Sequence, residues 1–123
     1  MRFSAIPGFS LPIGKPAKPA DMLNIKKFVF SPFAVNTYVL YDETGECAVV
    51  DPACYHAGEE QELSGFIDRN RLKLKRVFNT HGHIDHIFGN AYMQKTYQVG
   101  PEIHEADQFL AENAPGFARA YAL

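Results

Sequence analysis

The sequence predicts an α+β domain in which helices cover a β-sheet, and three observations carry that prediction. Short segments rich in β-branched and aromatic residues alternate with segments of helical period. Proline, glycine and aspartate punctuate the chain between them. The composition, 46% hydrophobic and 21% charged over 123 residues, is that of an ordinary globular chain, and the length suits one domain of about 100–200 residues. Strands interleaved with helices bury their apolar faces by laying helices on a sheet.

Residues 1–21 stand apart from this pattern. Pro7, Pro12, Pro16 and Pro19, with Gly8 and Gly14 between them, remove backbone donors and fix φ, so neither a helix nor a central strand is expected. They also break the apolar stretch of about 7–15 residues that a secretory signal needs. Residues 1–21 therefore read as a flexible leader, and the domain as beginning at Met22 and running to Leu123.

Ile25–Phe30 and Asn36–Tyr41 read as strands separated by Ser31-Pro32. Asp42-Glu43-Thr44-Gly45 is turn chemistry, Glu46–Val50 resumes the apolar run, and Asp51-Pro52 ends it. The three form a meander whose second and third strands make a hairpin. Gly58–Arg69 changes period, with Leu63, Phe66 and Ile67 on one helical face and Glu59, Glu60 and Glu62 elsewhere; acidic residues in a first turn suit the positive end of the helix dipole. Leu72–Thr80 alternates as a strand. Ile87, Phe88, Ala91 and Tyr92 mark a second helix that starts near Asp85 and ends near Gly100-Pro101. A short strand around Ile103 and a third helix carrying Ala106, Phe109 and Leu110 complete the order β-β-β-α-β-α-β-α. Phe28, Phe30, Tyr38, Leu40, Val49 and Val50 are expected to supply the sheet core, with Leu63, Phe66 and Ile67 packing on it.

Charge and cysteine content exclude several classes of function. Twelve Lys and Arg against fourteen Asp and Glu give −2, with no excess of positive charge for nucleic acid or an anionic membrane. No apolar run approaches the ~18–20 residues that cross a bilayer. Cys47 and Cys54 are too few for a disulfide framework and form no CxxC pair, which points to a reducing, cytoplasmic setting.

The chemistry concentrates in His81-Gly82-His83-Ile84-Asp85-His86, which holds three of the five histidines. The run follows one strand and opens the next helix, the corner where α/β folds place ligand sites. Imidazole and carboxylate at this density suit a borderline divalent ion. His81 and His83, two apart around a glycine, can turn toward one ion. The adjacent pair Asp85 and His86 can serve a second, and two ions ~3.5–4 Å apart can lower the pKa of a water between them. An isolated histidine is more often surface or core than ligand, but this run is internal, contains an aspartate and sits at a strand–helix corner.

Thr80-His81-Gly82-His83-Ile84-Asp85-His86 resembles the signature of the metallo-β-lactamase-fold hydrolases. Asn36-Thr37-Tyr38-Val39-Leu40 and Glu46 to Asp51-Pro52 resemble that family's second and third strands and the aspartate closing them. Within the family the likeness is to hydroxyacylglutathione hydrolases (glyoxalase II), over about Leu23 to Ala114. The resemblance implies an αββα sandwich of which this chain holds the first half. It implies that His81 and His83 bind one metal and Asp85 and His86 the second, with Asp85 also given a catalytic role. Asp51 would lie behind the site and orient a ligand or water; as a residue type it equally suits a turn or helix cap. His104 is expected to be structural, capping a helix from Glu105, and His56 to be a surface residue.

The implied activity is hydrolysis of an acyl thioester by a pair of zinc ions, with iron or manganese able to replace zinc. The family's later ligands have no counterpart here, because Pro115–Leu123 contain neither histidine nor acid. The chain alone is thus expected to be inactive. Two other readings stay open: a non-catalytic metal-binding fragment, and a half-sandwich that self-associates or is completed by a partner chain.

Overall fold

A computed structural model describes residues 4–5, 22–80, 82–107 and 112. Six strands form one mixed sheet: β1 (Ser4–Ala5), β2 (Asn24–Phe30), β3 (Val35–Tyr41), β4 (Glu46–Val50), β5 (Lys73–Asn79) and β6 (Pro101–Ile103), in the spatial order β1-β6-β5-β4-β3-β2. The meander β2-β3-β4 is antiparallel, with Lys27 opposite Tyr38 and Val39 opposite Val49. From β4 onward the pairing is parallel, through β5 and β6 to β1. Parallel neighbours need long crossovers, and here these are α1 (Ala57–Arg69) between β4 and β5, and α2 (Ile84–Ile87) with α3 (Asn90–Tyr97) between β5 and β6.

Both crossovers cover the same face of the sheet. Phe28, Phe30, Val35, Val39, Cys47, Val49, Leu74 and Val77 point into one core with Leu63 and Ile67 of α1 and Met93 of α3. Phe66 stands edge-on to both Phe28 and Tyr41, at 5.8 and 5.7 Å between ring centroids. His56 caps α1 by accepting from the Glu59 amide, a local role for a residue expected only at the surface.

Several expectations need correction. Tyr38, Leu40 and Val50 are not core residues: they alternate onto the opposite face and are only half buried. On that face Ile25 and Val29 are 63% and 56% exposed, and no second layer covers it among the described residues. The strand β5 does not alternate throughout, because a register shift opposite Cys47/Ala48 leaves Lys75 and Arg76 both outward. Such a bulge reverses the alternation beyond it, which turns Val77 and Asn79 inward. The expected second helix is two helices, broken at Phe88-Gly89 where the Gly89 amide donates to the Pro52 carbonyl at 2.7 Å.

Of the expected third helix, Glu105–Asp107 is a single 3-10 turn, and Phe109 and Leu110 lie outside the described residues. Of the expected leader only Ser4–Ala5 is described, as an edge strand paired with Glu102–Ile103. Two residues free of proline are enough for that edge pairing. No helix among the described residues is long and apolar enough to cross a membrane.

Candidate metal centre

The parallel strands β4 and β5 end side by side, so the residues that follow them meet at one end of the sheet, where ligand sites of such sheets lie. Asp51 follows β4 and Thr80 follows β5. The β2–β3 turn, residues 31–34, is at the same end because β3 runs antiparallel to β4.

Asp51 is the keystone of this end. It is 4% exposed and its backbone adopts φ 51°, a left-handed conformation that aspartate tolerates better than most residues. The bend is held from both sides: the Thr37 hydroxyl donates to the Asp51 carbonyl at 2.6 Å and accepts from the Ala53 amide at 3.0 Å. The bend aims the carboxylate across to the β5 end. Oδ1 accepts from the Thr80 amide at 2.8 Å, and Oδ2 from the Thr80 hydroxyl at 2.6 Å. Oδ2 also lies 3.0 Å from Nδ1 of His86.

A carboxylate against Nδ1 selects the imidazole tautomer that carries its proton there, which leaves Nε2 with a lone pair. That Nε2 lies 3.8 Å from Oδ2 of Asp85. Two donor atoms at about 2.0–2.2 Å from one ion can be separated by 3.8 Å, so the chemistry and spacing of Asp85 and His86 fit a divalent metal. His83 stands one residue before α2 with extended backbone, φ −65° and ψ 140°. His81 lies outside the described residues, and among the described ones no three His, Cys, Asp or Glu side chains converge as a ligand set.

The loop that carries these groups is fixed by residues outside the histidine run. Asn79 and Asn90, both buried, exchange reciprocal amide hydrogen bonds at 3.1 and 2.8 Å, and Asn79 also donates to the His86 carbonyl. The pair ties the end of β5 to the start of α3 across the motif. Gly89 permits the second tie: a Cβ there would stand 2.3 Å from Cys54 Sγ and 2.7 Å from the Pro52 oxygen. The visible signal was polar residues and a glycine flanking the histidine run, at positions where a helix interior would favour neither.

The remaining expected residues fall away from the site's chemistry. His104 caps the 3-10 turn by accepting from the Ala106 amide at 3.0 Å, the structural role expected of it. Burial pushes the Cys47 thiol up to about 11. Burial, with the charges of Glu60 and Glu59, pushes Cys54 up to about 12. Both therefore stay protonated at neutral pH and supply no nucleophile.

The sequence profile of the Metallo-beta-lactamase superfamily matches residues 30–121. A Haemophilus influenzae protein named hydroxyacylglutathione hydrolase GloC is 34% identical over 104 residues, covering 82% of this chain and 46% of its own. Among solved structures, TTHA1623, crystallised in a di-iron-bound form, superposes with a TM-score of 0.68 at 23% identity, over 80% of this chain and 47% of its own. The BLEG-1 B3 metallo-beta-lactamase superposes with a TM-score of 0.61 at 25% identity, over 70% of this chain and 39% of its own. The chain thus spans less than half the length of each of these relatives. A profile match over residues 30–121, most of the chain, places this chain in the metallo-β-lactamase superfamily.

Proposed function

We propose that this chain carries part of the metal site of a thioester hydrolase, with His81 and His83 as ligands of one ion and Asp85 and His86 as ligands of a second. The observation that carries the reading is the Asp51–His86 contact, which presents Nε2 beside Asp85 at the C-terminal ends of the parallel strands. A pair of divalent ions held there supplies Lewis acidity and a water of lowered pKa. The chain's own contribution is orientation: Asp51 fixes the His86 ring, Thr80 and Thr37 fix Asp51, and the asparagine pair fixes the loop.

Zinc is the ion we assign, because mixed imidazole and carboxylate donors suit it; iron, as in the di-iron form of TTHA1623, is the alternative. The thioester assignment follows the name of the Haemophilus relative. Two candidate ligands per ion fall short of the three that catalytic zinc sites usually have, so turnover needs further ligands from a longer polypeptide or a partner chain.

The test is release of free thiol from a hydroxyacylglutathione, with zinc present and after chelation. Turnover is expected to be negligible with these 123 residues alone. It is expected to appear in a longer polypeptide that supplies the further ligands, to require metal, and to be lost in His83→Ala. Turnover that survives chelation or His83→Ala overturns the reading.

A further inference from the structure

On the sheet face turned away from α1 and α3, the strand register lines five side chains into one row. Lys27 on β2 stands opposite Tyr38 on β3, and Tyr38 opposite Val50 on β4. Val50 stands opposite Phe78 on β5, and Phe78 opposite Glu102 on β6. Each is the sequence neighbour of a residue that enters the core, so by strand alternation all five face the open side. Across the sheet the row reads cation, aromatic, valine, aromatic, anion, with β4 at its centre. Ile25 and Val29, beside Lys27 on the same face, are 63% and 56% exposed. Apolar area of this extent, left in water and ended by charges, marks an interaction surface.

A row of this kind is complementary to its own reverse. When two such faces meet about a two-fold axis that runs along β4, β2 of each copy lies over β6 of the other, and β3 over β5. Lys27 then faces Glu102 of the second copy at both ends, Tyr38 faces Phe78 twice, and Val50 meets Val50 on the axis. Aligned sheets pack about 10 Å apart, and side chains from both faces fill that gap. A two-fold axis laid along the row itself would instead set Lys27 on Lys27 and Glu102 on Glu102, like charges that oppose contact. The charges at the two ends therefore select the axis along β4. Glu102 is already held for that role. The Arg76 guanidinium, 5.2 Å over the Phe78 ring, donates to both of its carboxylate oxygens from the next row, where Arg76 stands opposite Ala48. This fixes the carboxylate at the end of the row with lone pairs left for a second cation.

We propose that the open sheet face docks a second copy of this chain, in a pair whose two-fold axis runs along β4 and in which each Lys27 meets Glu102 of the other copy. The inference stands on strand register and charge, and it does not depend on the hydrolytic reading. A second copy is the occupant because it necessarily carries the reverse of the row, which an unrelated surface has no reason to do. The contact uses the same patch on both copies, so it closes at two and gives dimers rather than open chains. Because the axis follows the strands, the ends of β4 and β5 from both copies lie at the same end of the pair.

Sedimentation equilibrium of the 123-residue chain over a range of concentrations is expected to fit a monomer–dimer equilibrium without larger species. Lys27→Glu is expected to weaken the dimer about tenfold or more, because each pair carries the reversed contact twice. Lys26→Glu makes the same change of charge one residue away on the helix-covered face, where Lys26 lies over the Phe28 and Phe66 rings. It is expected to leave dimerisation within about twofold of the parent, as an exposed charge outside the contact does. Isotope-filtered NOEs in mixed dimers of labelled and unlabelled chain read the pairing without any substitution. Contacts between copies are expected from Tyr38 to Phe78 and from Val50 to Val50. A chain that stays monomeric throughout overturns the proposal and leaves the face to a different partner. Equal effects of the two substitutions overturn it as well, as do contacts between copies that join Lys27 to Lys27 or run along the outer edge of β2.

Discussion

Asp51→Asn isolates the orienting role of the carboxylate from its role in the backbone. Asparagine accepts a left-handed φ as readily as aspartate, so the bend at 51° survives. One side-chain oxygen still accepts from the Thr80 amide, and the Thr80 hydroxyl can rotate to accept where it now donates. His86 has no such freedom. An amide NH2 facing Nδ1 favours the tautomer with its proton on Nε2, the nitrogen that faces Asp85 at 3.8 Å. Loss of an outer partner of this kind lowers metal affinity about 10–100-fold, or ~1.4–2.7 kcal/mol at 1.36 kcal/mol per decade. Replacing charge-assisted bonds by neutral ones should also destabilise the fold by about 1–2 kcal/mol. The assay is competition for zinc against a chromophoric chelator, with urea unfolding of the metal-free protein alongside. A variant that unfolds slightly earlier yet binds zinc within twofold of the parent would refute the orienting role.

Three further outcomes follow from the same structure. Gly89→Ala forces a methyl against Cys54 Sγ and the Pro52 carbonyl and is expected to destabilise by about 1–3 kcal/mol; unchanged urea unfolding would show that the loop yields freely. Cys47 and Cys54 have folded pKa values raised from 9.0 to about 11 and about 12, so their contribution is intact below pH 9 and is lost as pH rises through that window. Each raised thiol can remove at most ~1.4 kcal/mol per pH unit there, and a flat stability curve from pH 9 to 11 would contradict this. The open sheet face around Ile25 and Val29, 63% and 56% exposed, is expected to drive concentration-dependent association of the chain that Ile25→Lys with Val29→Lys reverses. Sharply monomeric light scattering at high concentration would oppose that expectation.

The parts of the fold legible in the sequence are those whose signal is local. The meander, α1 and the position of the histidine run at the end of β5 follow from period, turn residues and Asp51-Pro52. The inward face was only partly legible, because β2, β3 and β4 carry apolar residues on both sides. Phe28 and Val39 face the helices while Leu40 and Val50 face away. The bulge in β5 was invisible, since nothing in Lys73–Arg76 marks an extra residue, and it decides that Asn79 points inward to meet Asn90. The helix break at Gly89 and the reach of Asp51 to His86 depend on contacts between segments distant in sequence. Thr37 is the plainest example: as a strand residue it is unremarkable, and only the fold reveals that its hydroxyl clamps Asp51.

On the proposed function, the His/Asp corner of this chain holds a divalent metal. Zinc competition titrations on the parent, His83→Ala, His86→Ala and His104→Ala test it directly, because His104 caps a 3-10 turn and serves as the internal control. Binding is expected in the parent and in His104→Ala alike, with a loss of about tenfold or more in each of the other two. Equal zinc affinity in all four proteins would contradict it.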